Sequence, residues 1–383
     1  MKTVPLCWVE VDRSALLHNV RQFREIVGPE RTLLAVVKAN AYGHGLLEIA
    51  GVLAGLPGLW LGVNSVEEAA ALHGAGIRPP VLILGYVPFD SLGEAVRLGA
   101  RLTVSSDKTV ARLAEVCRRM KRRAFLHIKV ETGTHRQGLP PEDVPRLARK
   151  ILGRKELVLE GLSSHFANIE DTTDPSYSKR QLELYSRTLA SLERRGFRLP
   201  VRHMSCTAST ILFPQTYQTM VRVGIGLYGC WPSKETYLSC RLQKRSPVEL
   251  RPVLSWRCRV AQVKRVRRGA SIGYGGTYRT TRPSTLAVLP VGYSDGYSRA
   301  LSNASFVLLR GRRAPVRGRV AMNFTVADVT DIPGVRLEDT ATLIGRDGED
   351  ACSAEHLASL TGTIAYEVLS RINPALPRVL VSG

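Results

Sequence analysis

Between Leu33 and Gly224 the chain repeats one pattern eight times: a short apolar, β-branched run, then a longer run with helical spacing. The strand-like runs are Leu33–Lys38, Trp60–Val63, Val81–Leu84, Leu102–Val104, Phe125–Val130, Val158–Ser163, Val201–Met204 and Val221–Gly224. Helical stretches between them include Leu46–Leu53, Val66–His73, Leu92–Leu98, Lys108–Arg119, Val144–Ile151 and Lys179–Arg195, with Ser65 and Asp107 as candidate N-caps. Ser14–Val27 precedes the first strand and carries Leu16, Val20, Phe23 and Val27 on one face. Eight strand–helix units are the count of a (β/α)8 TIM-like barrel. The competing doubly wound sheet usually has fewer strands and a Gly-rich first turn, and no G-x-G-x-x-G is read in the chain.

The texture changes at Leu242–Pro252, where Lys244, Arg245, Ser246, Pro247 and Pro252 read as a linker. Beyond it lie strand-like runs at Val253–Val260, Leu286–Val291, Phe306–Leu309, Val316–Val320, Phe324–Val329 and Thr340–Ile344. Only Ala354–Leu360 and Thr363–Arg371 look helical there. The expected organisation is an α/β barrel over residues 1–245 and a mostly β domain over 246–383. Val4–Val11 is a candidate extra strand, and residues 1–11 are candidates to pair with the β domain.

Composition narrows the classes. At 383 residues and 44% hydrophobic, the chain can bury more than one core, which excludes disorder and low complexity. Lys+Arg 54 against Asp+Glu 33 gives 54 − 33 = +21. Basic clusters at Arg118-Arg119, Lys121–Arg123, Arg194-Arg195, Lys264–Arg268 and Arg310–Arg313 have no interleaved aromatics. They read as solvated surface rather than a nucleic-acid face, although their field concentrates anions such as phosphorylated cofactors. The apolar stretch Ile49–Val66 is broken by Gly51, Gly55, Pro57, Gly58 and Gly62, so it reads as helix, turn and strand rather than a membrane span. Met1–Ser14 carries Lys2, Glu10, Asp12 and Arg13 and has no signal-peptide character. Seven scattered cysteines without a C-x-x-C pair point to reduced thiols in a cytoplasm, and no His/Cys spacing suggests a metal.

The segment Ala35-Val36-Val37-Lys38-Ala39-Asn40-Ala41-Tyr42-Gly43-His44-Gly45 closes the first barrel strand. Catalytic groups sit at that end of barrel strands. A lysine behind an apolar run is partly desolvated, which favours the free amine needed for a Schiff base. A snorkelling surface lysine is the bland alternative, but two glycines flanking polar and aromatic groups suit a tight loop around a ligand. Ser205-Cys206-Thr207 and Gly224-Ile225-Gly226 follow strands seven and eight, where barrels often bind phosphate. His165 and His203 each fit a satisfied core histidine when taken alone.

Val37–Gly45 closely resembles the pyridoxal-phosphate attachment signature of alanine racemases, and the resemblance extends over barrel and β domain. It implies pyridoxal 5'-phosphate held as an aldimine on Lys38, with phosphate contacts from Tyr42, Thr207, Gly224 and Ile225. It places Arg222 against the pyridine nitrogen, His203 near Arg222, His165 beside the ring, and Tyr366 at the substrate gate and cofactor. Racemisation needs acid–base groups on both faces of Cα. The resemblance implies Lys38 for one and Tyr274, acting across a homodimer interface, for the other.

It further implies that Arg136, the Met322 backbone N–H and Tyr293 meet the substrate, with Arg299 and Arg319 along an access corridor. Lys129 is implied as a carbamylated lysine that orients Arg136. Asp295 lies in a closely matching segment. The chain departs from the family at Cys206-Thr207, where Asn-Ser is usual and Thr207 keeps the hydroxyl, and at Glu131, Thr134 and Asn323, where Asp, Met and Asp are usual. The implied activity is interconversion of L- and D-alanine to supply peptidoglycan. The rivals are a serine or broad-specificity racemase, a non-catalytic cofactor carrier lacking the β domain, and a barrel decarboxylase.

Overall fold

The computed structural model describes residues 5–243 and 248–382. Val4, the linker residues Lys244, Arg245, Ser246 and Pro247, and the boundary expected at 245/246 lie outside the described residues. The chain divides into two compact units, residues 17–39 with 49–250, and residues 1–16 with 40–48 and 251–383.

The first strand, β1 (Cys7–Asp12), belongs to the second unit. The first unit contains β2 (Thr32–Val36), β3 (Leu59–Val63), β4 (Val81–Ile83), β5 (Arg101–Val104), β6 (Ala124–Lys129), β7 (Leu157–Ser163), β8 (Val201–His203) and β9 (Met220–Val223). They pair in the order β9-β2-β3-β4-β5-β6-β7-β8, always parallel. At the β8–β9 seam the ladder gives way to Thr219 N–H on Arg202 O and Arg222 N–H on Ser205 O, both 3.2 Å. The sheet is thus a nearly closed eight-stranded barrel.

Every expected strand of the barrel is present. Their apolar character follows from burial on both faces, since crossover helices cover the outside and the barrel side chains fill the inside. Leu33, Leu34, Leu61, Leu82, Ile83, Leu126, Ile128, Leu162 and Val221 are fully buried. Each such side chain contributes about 1.5–3 kcal/mol by leaving water. The helix Arg13–Val27 buries Leu16, Val20, Phe23 and Val27, the stripe its spacing predicts. Ser65 caps Val66–Gly74 through the Glu68 N–H at 3.4 Å. Asp107 is not a cap: Ser106 takes the extended cap conformation, and Asp107 becomes the first helical residue. Its carboxylate instead pairs with Arg146 and with Lys150, the latter at 2.8 Å.

In the second unit the main sheet runs Arg312–Pro315, Phe306–Leu309, Thr340–Asp347, Leu254–Arg259, β1 and Arg378–Val381. β1 is antiparallel to Leu254–Arg259 and parallel to Arg378–Val381, so both ends of the chain enter one sheet. A second sheet joins Gln262–Val266, Ser284–Leu289 and Thr325–Asp328. The expected run Val316–Val320 is not a strand. Gly318 breaks it at φ +76°, where an added Cβ would come within 2.5 Å of Ile272 O, and a single bridge joins Val316 to Ala327. Gln262–Val266 escapes sequence patterning because its residues are mostly exposed and polar.

Candidate active site

Lys38 follows β2 at its C-terminal end. The strand stops at Val36, two residues earlier than the apolar run suggests, although Val37 N–H still donates to Gly62 O at 2.8 Å. The reason is the backbone beyond it. Ala39, Asn40, Ala41 and Tyr42 all have positive φ, between 52° and 55°. Such a left-handed turn of non-glycine residues costs roughly 1–2 kcal/mol per residue. Side-chain acceptors offset part of that. Glu68 Oε1 accepts the Ala39 N–H at 2.7 Å, and Asn40 Oδ1 accepts the Leu46 N–H at 2.8 Å. Strain held next to a reactive amine is the distribution expected of a functional site.

Burial first, then the positive charges of Arg136 and Arg222, lower the Lys38 pKa, while Glu68 opposes them. Lys129, at the end of β6, is pushed down to about 7 by burial, Arg222 and Arg136. Its neighbour Glu131 gives little relief. Glu131 Oε1 is engaged by the Gly133 and Thr134 N–H groups at 2.6 and 2.7 Å. Arg136 is exposed in the same loop.

Arg222, in β9, is buried and heavily engaged. Nη1 donates to His203 Nδ1 at 2.9 Å, and Nη2 reaches Ser164 O, His165 Nδ1 and Met204 O at 2.9, 3.1 and 3.1 Å. Nη2 shares its two hydrogens among three acceptors and Nη1 uses one, so one Nη1 hydrogen and the Nε hydrogen stay on offer to a ligand. Burial, followed by the Arg222 charge, drives both His165 and His203 well below the ordinary imidazole range, so both are neutral acceptors. Nearby, Gly224 N–H donates to Thr207 Oγ1 at 3.1 Å. Ile225 opens a short 3-10 turn, so its N–H has no acceptor within the turn. A Cβ on Gly226 would lie 2.6 Å from Thr207 Cγ2, so the cradle requires glycine. Cys206, in place of the usual Asn, caps Thr207–Leu212, and its N–H donates to Ser209 Oγ at 2.8 Å.

The second unit carries the remaining candidates. Tyr274 is 74% exposed on a turn whose Gly273 and Gly275 have φ of +69° and +71°. Arg319 packs beneath it: a Cβ on Gly275 would be 3.1 Å from its Nη1. Tyr293 and Met322 are exposed and lie in paired segments, with Tyr293 N–H on Ala321 O at 3.1 Å. Among the described residues the Met322 N–H donates to no carbonyl. Ser294 Oγ donates to Met322 O at 2.8 Å and accepts from Asn323 Nδ2 at 2.9 Å. Asn323 therefore supplies the hydrogen that an aspartate could not. Asp295 Oδ2 caps its own turn through Gly292 N–H at 2.9 Å. Arg299 is exposed at the start of a 3-10 turn. The Tyr42 and Tyr366 rings lie 6.0 Å apart.

Sequence reasoning overlooked Glu68, His127 and Glu160. His127 shares the inward face of β6 with Lys129 by period-2 alternation, which was a usable signal. It also overlooked that Gly224–Gly229 spells G-x-G-x-x-G, here after the last barrel strand.

Comparisons with known proteins agree along the whole chain. The family described as alanine racemase, N-terminal domain, matches residues 11–232, and alanine racemase, C-terminal domain, matches residues 253–380. An alanine racemase of Symbiobacterium thermophilum is 40% identical over 97% of this chain and 96% of its own. The alanine racemase structure from D-cycloserine-producing Streptomyces lavendulae has a TM-score of 0.92 at 31% identity, covering 100% of this chain and 98% of its own. That from Bacillus anthracis with bound L-Ala-P has a TM-score of 0.91 at 32% identity, covering 100% and 96%.

Proposed function

The chain belongs to the alanine racemase family and interconverts L- and D-alanine, and we propose that it does so with pyridoxal 5'-phosphate on Lys38, as a cytoplasmic homodimer with shared sites supplying D-alanine for peptidoglycan. The residues fit that cofactor. Lys38 offers an amine biased toward its neutral form, and Arg222 retains a hydrogen for a ring nitrogen. At the glycine cradle around Gly226, the Gly224 N–H holds Thr207 Oγ1, whose own hydrogen would join the Ile225 N–H as donors to a phosphate dianion. Tyr42, His165, His203 and Tyr366 complete the set. Once bound, pyridoxal phosphate supplies an electron sink that acidifies the Cα–H of an amino acid.

The chain's own groups then handle the proton. Lys38 Nζ takes it from, or returns it to, one face of Cα, and the D-substrate is its side. The Tyr274 hydroxyl serves the L-substrate on the opposite face. Its exposure on a glycine turn suits a group donated to a neighbouring protomer. Arg222 stays protonated, so it would offer a cofactor ring nitrogen a hydrogen bond without giving up its proton, a setting that would favour racemisation over transamination. The Arg136 guanidinium and the Met322 N–H hold the substrate carboxylate beside Tyr293, and Arg299 and Arg319 line the approach. Lys129, neutral in part near pH 7 and ringed by Arg222, Arg136 and Lys38, is placed to add to carbon dioxide. The N–C bond forms, one proton leaves, and the new carboxylate steadies Arg136.

The observation that carries this reading is a depressed lysine amine grouped with an arginine whose hydrogen bonds are taken by two neutral histidines. Borohydride reduction followed by peptide mapping tests it, alongside chiral assay of L-alanine and L-serine. A reduced adduct on Lys38 with alanine turnover is expected. An adduct elsewhere, or faster serine turnover, would overturn it.

A further inference from the structure

A line of hydrogen bonds leaves the far side of Arg222 and crosses the barrel interior. Arg222 Nη1 meets His203 Nδ1 at 2.9 Å, His203 Nε2 meets His127 Nδ1 at 2.8 Å, and His127 Nε2 meets Glu160 Oε2 at 3.0 Å. Both histidines are buried. Beyond the last hydrogen bond, Arg101 forms an ion pair with the carboxylate, its Nε 3.4 Å from Glu160 Oε2, and its guanidinium lies over the Trp60 and Phe125 rings at 4.8 and 5.1 Å.

The two ends fix every hydrogen between them. A guanidinium only donates, so His203 Nδ1 accepts and the His203 hydrogen sits on Nε2. His127 Nδ1 then accepts, its hydrogen sits on Nε2, and the carboxylate receives it. A second proton on either ring would set two hydrogens against each other. Burial depresses both imidazoles, in keeping with neutral rings. Burial raises Glu160, but His127 and Arg101 outweigh it, and Glu160 remains a carboxylate.

The backbone is built around this line. The β6–β7 register slips between Leu126 and His127: Leu126 pairs with Leu159, and His127 pairs with Gly161. Glu160 is the extra residue of a β-bulge, a device that re-aims a side chain and recurs beside active sites. Gly161 has no side chain where one would meet His127: an added Cβ would sit 2.8 Å from His127 Nδ1. The bulge and the glycine together admit an imidazole to the barrel wall and place a carboxylate at its far nitrogen.

We propose that Glu160 is a positioning residue for the racemase site, the acceptor terminus of a one-way line through His127 and His203 that fixes the direction and charge of Arg222. It rests on the reading that Arg222 faces the cofactor's ring nitrogen. The carboxylate polarises both imidazoles and strengthens His203 Nδ1 as an acceptor, so Arg222 holds its proton without a buried anion beside it.

The test is ring-15N-histidine NMR of the holoenzyme with steady-state kinetics. In the native chain, His127 and His203 are expected as Nε2–H tautomers. Glu160→Gln removes the charge and lets the terminal amide donate, so the tautomers mix. Its kcat should fall about 10-fold with KM within about twofold, the scale of one charge-assisted hydrogen bond. Glu160→Asp keeps the carboxylate and should restore the native tautomers. A native Nδ1–H tautomer or an imidazolium at either position overturns the proposal. So does a Glu160→Gln enzyme with unchanged spectrum and kcat. Should Glu160→Gln fail to fold, Arg101→Met and the native spectrum decide. Arg101→Met should shift the same two resonances; unchanged resonances would overturn the proposal. The spectrum reads the line whether or not Lys38 carries a cofactor, so a missing Lys38 adduct would sink the site assignment separately.

Discussion

The Glu68 carboxylate grips both sides of a gap: Oε1 accepts the N–H of Ala39, one residue past Lys38, at 2.7 Å, and Oε2 accepts the N–H of Asn64 at 2.7 Å. It thereby anchors a strained left-handed turn, and its negative charge raises the Lys38 pKa against burial and the two arginines. Glu68→Gln keeps one acceptor and loses the charge. With less to favour the ammonium, the pH midpoint for borohydride-trapped cofactor loading of the apoenzyme should move down. Glu68→Ala should also cost about 0.5–1.5 kcal/mol in denaturant unfolding, because two solvent-accessible backbone donors exchange the carboxylate for water.

Lys129 carries the clearest chemical prediction. With a pKa of about 7, a large fraction is unprotonated at neutral pH. Protein equilibrated with 13C-bicarbonate should show a carbamate resonance that disappears in Lys129→Ala. The signal should fade as pH drops below about 7, as the amine protonates. A spectrum lacking any protein carbamate would remove this residue from the mechanism.

Tyr274→Phe removes one acid–base group without touching Lys38. Solvent-deuterium incorporation starting from L-alanine should fall by about 10²–10⁴-fold, the usual worth of a positioned proton-transfer group. Exchange from D-alanine, assigned to Lys38, should persist. Equal exchange from both enantiomers in the variant would refute the two-base assignment.

Gly43 tests the backbone around the strained turn. Its φ is +84°, and an added Cβ would lie 2.0 Å from Leu369 O. Gly43→Ala should therefore lower stability by more than the usual ~1 kcal/mol of a point substitution. Urea unfolding reads this directly. Arg378, which donates to Gly43 O at 2.9 Å through Nη2, should lose that bond as the loop moves.

Stability should depend on buried histidines. His44 is depressed to about 4 by burial, and His127, His165 and His203 are depressed as well, all chiefly by burial. An ordinary imidazole titrates near 6.5, so below that pH the unfolded chain binds protons that the native chain refuses. Stability is thus full above about 6.5 and falls as pH drops toward the folded values, by about 1.4 kcal/mol per pH unit per group. Denaturant midpoints between pH 8 and 5 measure it. A flat profile below pH 6.5 would contradict the neutral assignment on which the His203–His127 line depends.

Much of this was legible in the residues themselves. Apolar runs alternating with amphipathic helices specify a barrel, because which face of each segment is apolar is a local property. The Lys38–Gly45 segment carried its family resemblance for the same reason, since a signature lies in adjacent residues, whereas the role proposed for Tyr274 comes from that resemblance and not from its glycine turn. What pairs with what did not lie in adjacency. Arg222, His203, His127 and Glu160 come from four different strands, and only strand register with a one-residue bulge brings them into line. Likewise, β1 and Arg378–Val381 stand at opposite ends of the chain and meet only because one sheet closes over both. Hydrophobic period selects the elements, whereas hydrogen-bond partners depend on where neighbouring strands stop and slip, and the folded chain alone sets that.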